Sequence, residues 1–282
     1  MAGGMAAVRL VALDVDGTVL PPDHVIAPST VAAVAAARAA GVHVVLASSR
    51  GPVALEPIQD VLGLRDEWFI GYQGALVARK CDGGLHVLSE LRIDPAAARE
   101  AEDRALAAGL SIGRYVGPRL RARELTPALR LEASQTGERL ILSTPEEADD
   151  DEPPHKLMVI ADGEQQVAVL GALVDTLPGT VTATLSHPSY LEVTAAGVDK
   201  ASGIGPLAAR LGVPVERIAA VGDGPNDLGL FAAVGVPIAM GQAGAQVRAA
   251  ASWVTTAVTD DGVARALTHL GVVSEDAWNR CR

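Results

Sequence analysis

Val8-Arg9-Leu10-Val11-Ala12-Leu13-Asp14-Val15-Asp16-Gly17-Thr18 is the stretch that decides the fold. Its short apolar run reads as a buried strand of a parallel sheet. The run ends on two carboxylates, which are costly at the end of a buried strand unless something engages them. In open parallel sheets ligands bind outside the carboxyl ends of the strands, where this pair would project. Side chains at i and i+2 of a strand share a face, so Asp14 and Asp16 are expected to look into one pocket. Gly17 permits a sharp turn, and Thr18 adds a hydroxyl and an amide. Calcium loops also use an Asp-x-Asp-Gly pattern, but the further acidic ligands at fixed spacing that they need are absent here.

Outward from this strand, β and α patterns alternate. An Ala-rich helix opens at Pro28-Ser29-Thr30 and closes near Gly41; a strand over 42–48, a helix from Pro52 and an apolar run around Trp68-Phe69-Ile70 follow. That βαβαβ order is the mark of a Rossmann-like doubly wound parallel sheet, an α/β class. After about residue 80 the character changes. Short alternating runs at 85–89, 111–116, 119–124, 139–143, 156–160 and 181–186 interleave with helical stretches at 95–108, 126–136 and 164–177. This reads as an α+β module with a mainly antiparallel sheet. From about 189 the α/β pattern resumes, with Tyr190–Thr194, a helix over 200–211, strands at 217–222 and 236–239, and helices at 226–233, 243–250 and 261–270. The expectation is one core from 1–80 and 189–282, interrupted by an inserted cap at 81–188. The acidic run 146–152, followed by Pro153-Pro154, is expected to be a solvated loop. Residues 274–282 show no interpretable pattern.

Composition narrows the function. The chain has 282 residues, 49% of them hydrophobic but only 3% aromatic, so Ala, Val and Leu must fill the core. A formal net charge of -11 argues against sequence-independent nucleic-acid binding, which needs a basic footprint. Small anionic substrates stay open, because a metal and one or two cations reverse a local field. The two cysteines, Cys81 and Cys281, form no framework. No signal peptide precedes the first strand and no apolar run is long enough to span a membrane, so a cytoplasmic location is expected.

Three further elements carry polar residues at core-strand ends or helix starts. Ser48 and Ser49 close the second strand; Ser48 can donate to an anion, and its bland reading is a strand-end or helix-capping hydroxyl. Lys200 falls in the first turn of a helix capped by Asp199, where a cation opposes the helix dipole. Local rules tend to be broken at functional sites; the alternative is an ordinary solvated lysine. Gly222-Asp223-Gly224-Pro225-Asn226-Asp227 follows the strand Ile218-Ala219-Ala220-Val221. Two acids and an amide between glycines make a hard-oxygen cluster suited to Mg²⁺, and Pro225 fits the first helical position.

Taken in order, these four motifs resemble the Cof-type (type IIB cap) branch of the haloacid dehalogenase superfamily of phosphatases, over essentially the whole chain. Weaker echoes agree: Tyr72-Gln73-Gly74-Ala75, His155-Lys156-Leu157, Ser186 through Val193, Ala239-Met240-Gly241 and Asp261-Gly262-Val263-Ala264. Gln73 and Gln242 depart from the customary Asn, which leaves their contacts open. The resemblance implies Mg²⁺-dependent hydrolysis of a phosphate monoester, with a sugar phosphate as the common substrate. Asp14 would attack phosphorus. Asp16 would serve as acid and then base, with its carbonyl on the metal. Asp14 and Asp223 would hold Mg²⁺; Thr18, Ser48, Ser49 and Lys200 would bind the phosphate; Asn226 and Asp227 would orient metal waters and Lys200.

Substrate selection falls to the cap, where Arg114, Arg119, Arg121 and Arg123 either hold a second anionic group or form a solvated strand face. His187 and Tyr190 near the return to the core are equally open. The rival readings are a phosphomutase of the same superfamily and a non-catalytic phosphometabolite-binding protein. A monomer or homodimer is expected.

Overall fold

The computed structural model describes residues 7–143 and 152–279. The first strands are β1 (Leu10–Leu13), β2 (His43–Ala47), β3 (Phe69–Gly71), β4 (Leu76–Cys81) and β5 (Gly84–Glu90). Next come β6 (Ser111–Val116), β7 (Arg119–Ala122), β8 (Leu140–Leu142), β9 (Lys156–Ile160), β10 (Val181–His187) and β11 (Tyr190–Ala195). The last are β12 (Ile218–Gly222), β13 (Val236–Ala239) and β14 (Trp253–Val254). Helices α1 (Pro28–Ala39), α2 (Pro52–Val61), α3 (Pro95–Ala107), α4 (Pro127–Thr136) and α5 (Glu164–Val174) precede α6 (Lys200–Leu211), α7 (Leu228–Ala232), α8 (Ala245–Ala250), α9 (Gly262–His269) and α10 (Asp276–Asn279). Two compact units result. One takes the chain up to Ser48, Glu56–Ser89 and the chain from Asp199; the other takes Ser49–Leu55 and Glu90–Val198.

The first unit is built on an eight-stranded sheet in the order β14-β13-β12-β1-β2-β3-β4-β5. It is parallel from β14 through β3, and β4 runs antiparallel to β3. β1 lies between β2, reached through α1, and β12, reached only after the inserted segment. The strand order reverses there, which makes the ends of β1, β2 and β12 the expected binding crevice. On one face Leu10, Ala12, Val45 and Ala47 pack with Ile204 and Leu207 of α6 and with Leu230 of α7. α1, whose Ala33, Val34 and Ala37 are buried, packs with α9 and α10. Small apolar side chains carry this packing, as the scarcity of aromatics requires.

The second unit has a six-stranded sheet in the order β10-β11-β9-β6-β7-β8, antiparallel except for the β7–β8 pair. Its core joins Ala98, Ala101 and Ala105 of α3 and Leu170 and Leu173 of α5 to Ile112, Leu157, Val159, Leu191 and Val193 of the sheet. α3 starts at Pro95 with the Asp94 carboxylate accepting from the amides of Ala96 and Ala97, and α4 is capped by Thr126.

Two strands stand elsewhere than the sequence suggests. β5, expected with the cap, belongs to the eight-stranded core sheet; its residues are all exposed or half-buried, as on an edge strand. β11, expected in the core, pairs with β9 and β10 in the six-stranded sheet. Leu191 through Thr194 are all buried, so both of its faces are covered and it reads as a parallel core strand. The units divide at 89/90 and 198/199, with Ser49–Leu55 also in the second unit, whereas the sequence reading places the divisions at 80/81 and 188/189. α10 forms in the stretch without pattern, around the fully buried Trp278. Of the acidic run only Glu152 lies among the described residues, where it pairs with Arg92 and Arg119.

Candidate active site

β1 stops at Leu13 and delivers Asp14 at its carboxyl end, its amide donating to Val221 O of β12 at 2.9 Å. A turn follows, in which Val15 O accepts the amides of Thr18, Val19 and Leu20. This changes the relation expected between the two acids. Asp14 is only 5% exposed, whereas Asp16 lies on the turn and is exposed, because the backbone leaves the extended conformation between them. Gly17, at φ +81°, is required: a Cβ there would stand 2.3 Å from Asp223 Oδ2. Thr18, buried, donates from Oγ1 to Asp223 Oδ1 at 3.4 Å.

Lys200 opens α6. Its neighbour Asp199 caps the helix, accepting from the amides of Ala201 and Ser202 while Ser202 Oγ accepts from Asp199 N. Gly74 packs so closely on Asp199 that a Cβ would fall 1.9 Å from its carbonyl oxygen. Lys200 is wholly buried and donates to Asp14 Oδ1 at 2.5 Å and to Asp227 Oδ1 at 2.6 Å. Those two carboxylates explain why a cation is tolerated against the helix dipole. Asp227 Oδ2 in turn accepts the amides of Asp223 and Gly224, both at 3.0 Å. Asp227 thus fixes Lys200 with one oxygen and the Asp223 loop with the other. Asn226 is half-buried in the same short 3-10 turn.

One oxygen each from Asp14, Asp223 and Asp227 lies within 4.8 Å of the others. Three carboxylates then face one ammonium. Burial, and next the Asp227 charge, push the Asp14 carboxyl well above the ordinary aspartate range, although Lys200 opposes this. Burial and Asp227 likewise raise Asp223. Burial alone would lower Lys200, but Asp14 and Asp227 hold it above the ordinary lysine value. Three carboxylates gathered around one ammonium offer hard oxygen donors that fit a divalent cation.

Ser48 is buried one residue beyond Ala47, itself one register step past the Leu13–Leu46 pairing. Its amide donates to Ile70 O at 2.8 Å and its carbonyl accepts from Gln73 N at 3.0 Å. Ser49 belongs to the other compact unit, where its carbonyl accepts from Lys156 Nζ at 2.8 Å. Three of the cap arginines are engaged with carboxylates: Arg114 with Glu102, Arg119 with Glu152, and Arg123 with Asp103 and Glu102. His187 meets Tyr190 ring edge to face. Gln242, whose contacts the sequence left open, reaches three backbone or carboxylate groups of neighbouring loops.

The family description "haloacid dehalogenase-like hydrolase" matches residues 11–267. A Streptococcus pyogenes serotype M6 protein named "putative phosphatase" is 29% identical over 267 residues, covering 93% of this chain and 97% of that one. The solved structure of BT1666 from Bacteroides thetaiotaomicron, described among phosphatases of the same superfamily, superposes with a TM-score of 0.78 at 27% identity over 97% of this chain and 98% of its own. The subclass IIB sugar phosphatase BT4131 shares the fold, with a TM-score of 0.79 at 24% identity over 94% and 100% of the two chains.

Proposed function

This chain belongs to the haloacid dehalogenase-like hydrolases, in their Cof-type branch, and from that premise we propose that it is a phosphatase hydrolysing phosphate monoesters of small metabolites, sugar phosphates foremost, with Mg²⁺. The observation that carries the reading is Lys200 bridging Asp14 and Asp227 beside Asp223 at the carboxyl ends of β1 and β12. The phosphatase names of the relatives agree with it.

In this mechanism Asp14 attacks phosphorus in line, forming a covalent aspartyl-phosphate and expelling the alcohol. Lys200 favours the ionised form of Asp14 against the burial that raises it, holds Oδ1 in place, and its charge meets the phosphoryl oxygens as they approach. Asp16, exposed on the turn, gives its proton to the leaving oxygen and then takes one from the water that cleaves the acyl-phosphate. Thr18 and Ser48 supply hydroxyls to the phosphoryl group. Asp14, Asp223 and the Asp16 carbonyl would hold Mg²⁺, which when bound draws charge off the phosphoryl oxygens. Asp227 fixes Lys200, while Asn226 would orient waters on the bound cation.

The inserted unit is assigned the choice of substrate. A cytoplasmic location and a monomeric or dimeric state belong to the same proposal; among the described residues no helix is long and apolar enough to cross a membrane. The test is inorganic phosphate release from a panel of sugar phosphates and an aryl phosphate with Mg²⁺. Release from several members is expected. Transfer of the phosphoryl group within a sugar without release, or binding without turnover, would overturn it.

A further inference from the structure

Gln242 follows β13 and lies between the loops that leave β12 and β14. Its backbone is pinned on both sides. Met240 N donates to Gly222 O at 2.9 Å and Gly241 N to Thr256 O at 3.0 Å. The Gly241 contact is so close that a Cβ would stand 2.8 Å from Ala257 N. From this anchored position the side chain spans three other loops. Nε2 donates to Gly17 O at 2.6 Å, on the loop after β1, and to Asp223 Oδ2 at 3.4 Å, after β12. Oε1 accepts from Val258 N at 3.1 Å, after β14. The amide orientation is fixed by its partners, since Gly17 O can only accept and Val258 N can only donate.

One side chain therefore ties together the carboxyl ends of four consecutive strands of the sheet, β14, β13, β12 and β1. Asp223 is held from the β1 loop twice, by Thr18 Oγ1 on one oxygen and by Gln242, itself braced on Gly17 O, on the other. A donor nitrogen facing a carboxylate cannot itself ligate a cation, so Gln242 acts through the carboxylate it orients.

We propose that Gln242 is a positioning residue that fixes the Asp223 carboxylate relative to the Asp14–Gly17 loop and thereby sets the affinity of the site for its divalent cation. This rests on the metal reading given under Proposed function. Outer partners of a metal ligand are worth about 10–100-fold in metal affinity when removed. Gln242→Leu keeps the bulk and removes all three contacts. Gln242→Glu puts an oxygen against Gly17 O and Asp223 in place of the donor. Gln242→Asn keeps both groups but is one methylene too short to brace Gly17 and Val258 together.

The experiment is calorimetric titration of the metal-free full chain with Mg²⁺ in the absence of substrate, with unfolding in EDTA measured alongside. The Mg²⁺ dissociation constant should rise about tenfold or more in Gln242→Leu, at least as much in Gln242→Glu, and by less in Gln242→Asn, with unfolding in EDTA little changed. Should Gln242→Leu fail to fold, the shift of about tenfold in Gln242→Glu and the smaller one in Gln242→Asn, still more than about twofold, carry the test. Affinity within twofold of the wild type in the folded variants would overturn the inference and leave the phosphatase reading standing. No Mg²⁺ binding by the wild type would overturn the metal reading and this inference with it.

Discussion

Replacing Lys200 by Met removes the ammonium while keeping a side chain of similar reach. In the wild type that ammonium is fully buried and bonded to Asp14 Oδ1 at 2.5 Å and Asp227 Oδ1 at 2.6 Å. Without it two buried carboxylates face each other beside Asp223, and breaking a buried pair in this way costs about 3–5 kcal/mol. Part of that cost is avoided by protonation, since burial already raises Asp14. Protonation, however, removes the nucleophile. The phosphoryl oxygens also lose a charge-assisted donor, and a single such donor in a closed site is worth about 10²–10³ in turnover. Lys200→Met should therefore lose both stability and turnover, by about a hundredfold or more in kcat.

The double variant Lys200→Met with Asp227→Asn separates the two effects. Removing the second buried charge should restore much of the stability, while turnover stays low because Asp14 still lacks its partner. Urea unfolding at pH 7 and phosphate release at saturating Mg²⁺ and substrate are the measurements. Near-normal kcat with a raised KM in Lys200→Met would refute the reasoning, since Lys200 would then only assist binding. Stability unchanged in Lys200→Met would equally contradict the burial argument.

EDTA should inactivate the enzyme and Mg²⁺ restore it, while Ca²⁺ should restore it poorly, because longer and more irregular coordination misaligns the phosphoryl group; equal rates with both ions would count against the proposed metal site. Glu138 in the inserted unit is raised from 4.5 to about 7, chiefly by burial, with Lys156 opposing. A raised folded value means a contribution fully present below about 4.5 and lost as pH climbs through about 7. Glu138→Gln, which mimics the protonated acid, should accordingly stabilise the protein at pH 8 by up to about 3 kcal/mol and change little at pH 5. Urea unfolding of wild type and variant at both pH values checks this, and an effect of equal size at both would contradict it.

The core motifs are legible because β1, β2 and β12 are unbroken apolar runs that end abruptly in polar residues, as buried strands do where they open onto a polar crevice. Lys200 is legible as a breach of helix electrostatics, and its two carboxylate partners supply the reason for the breach. Sheet membership is less legible than strand existence. The alternating run at 85–89 marks β5 as a strand, yet nothing local tells an edge strand of the core from a strand of the insertion. β11 shows the opposite difficulty, since burial on both faces hides its antiparallel pairing. The different surroundings of Asp14 and Asp16 depend on where the strand stops, and one turn at Val15–Leu20 decides it. Gln242 stands out as a departure from the customary Asn, but its contacts are not legible, because they are made across loops far apart in sequence.

The central claim is that Asp14 is the nucleophile of a phosphatase, and an acid-quenched single turnover tests it most directly. Enzyme in excess over a phosphate-labelled substrate, with Mg²⁺, is quenched before the first turnover completes, and the labelled residue is mapped by peptide mass spectrometry. The label should appear on Asp14 and vanish with chase, and Asp14→Asn should neither acquire it nor release phosphate. A label on any other residue, or phosphate release persisting in Asp14→Asn beyond a trace, would contradict the account.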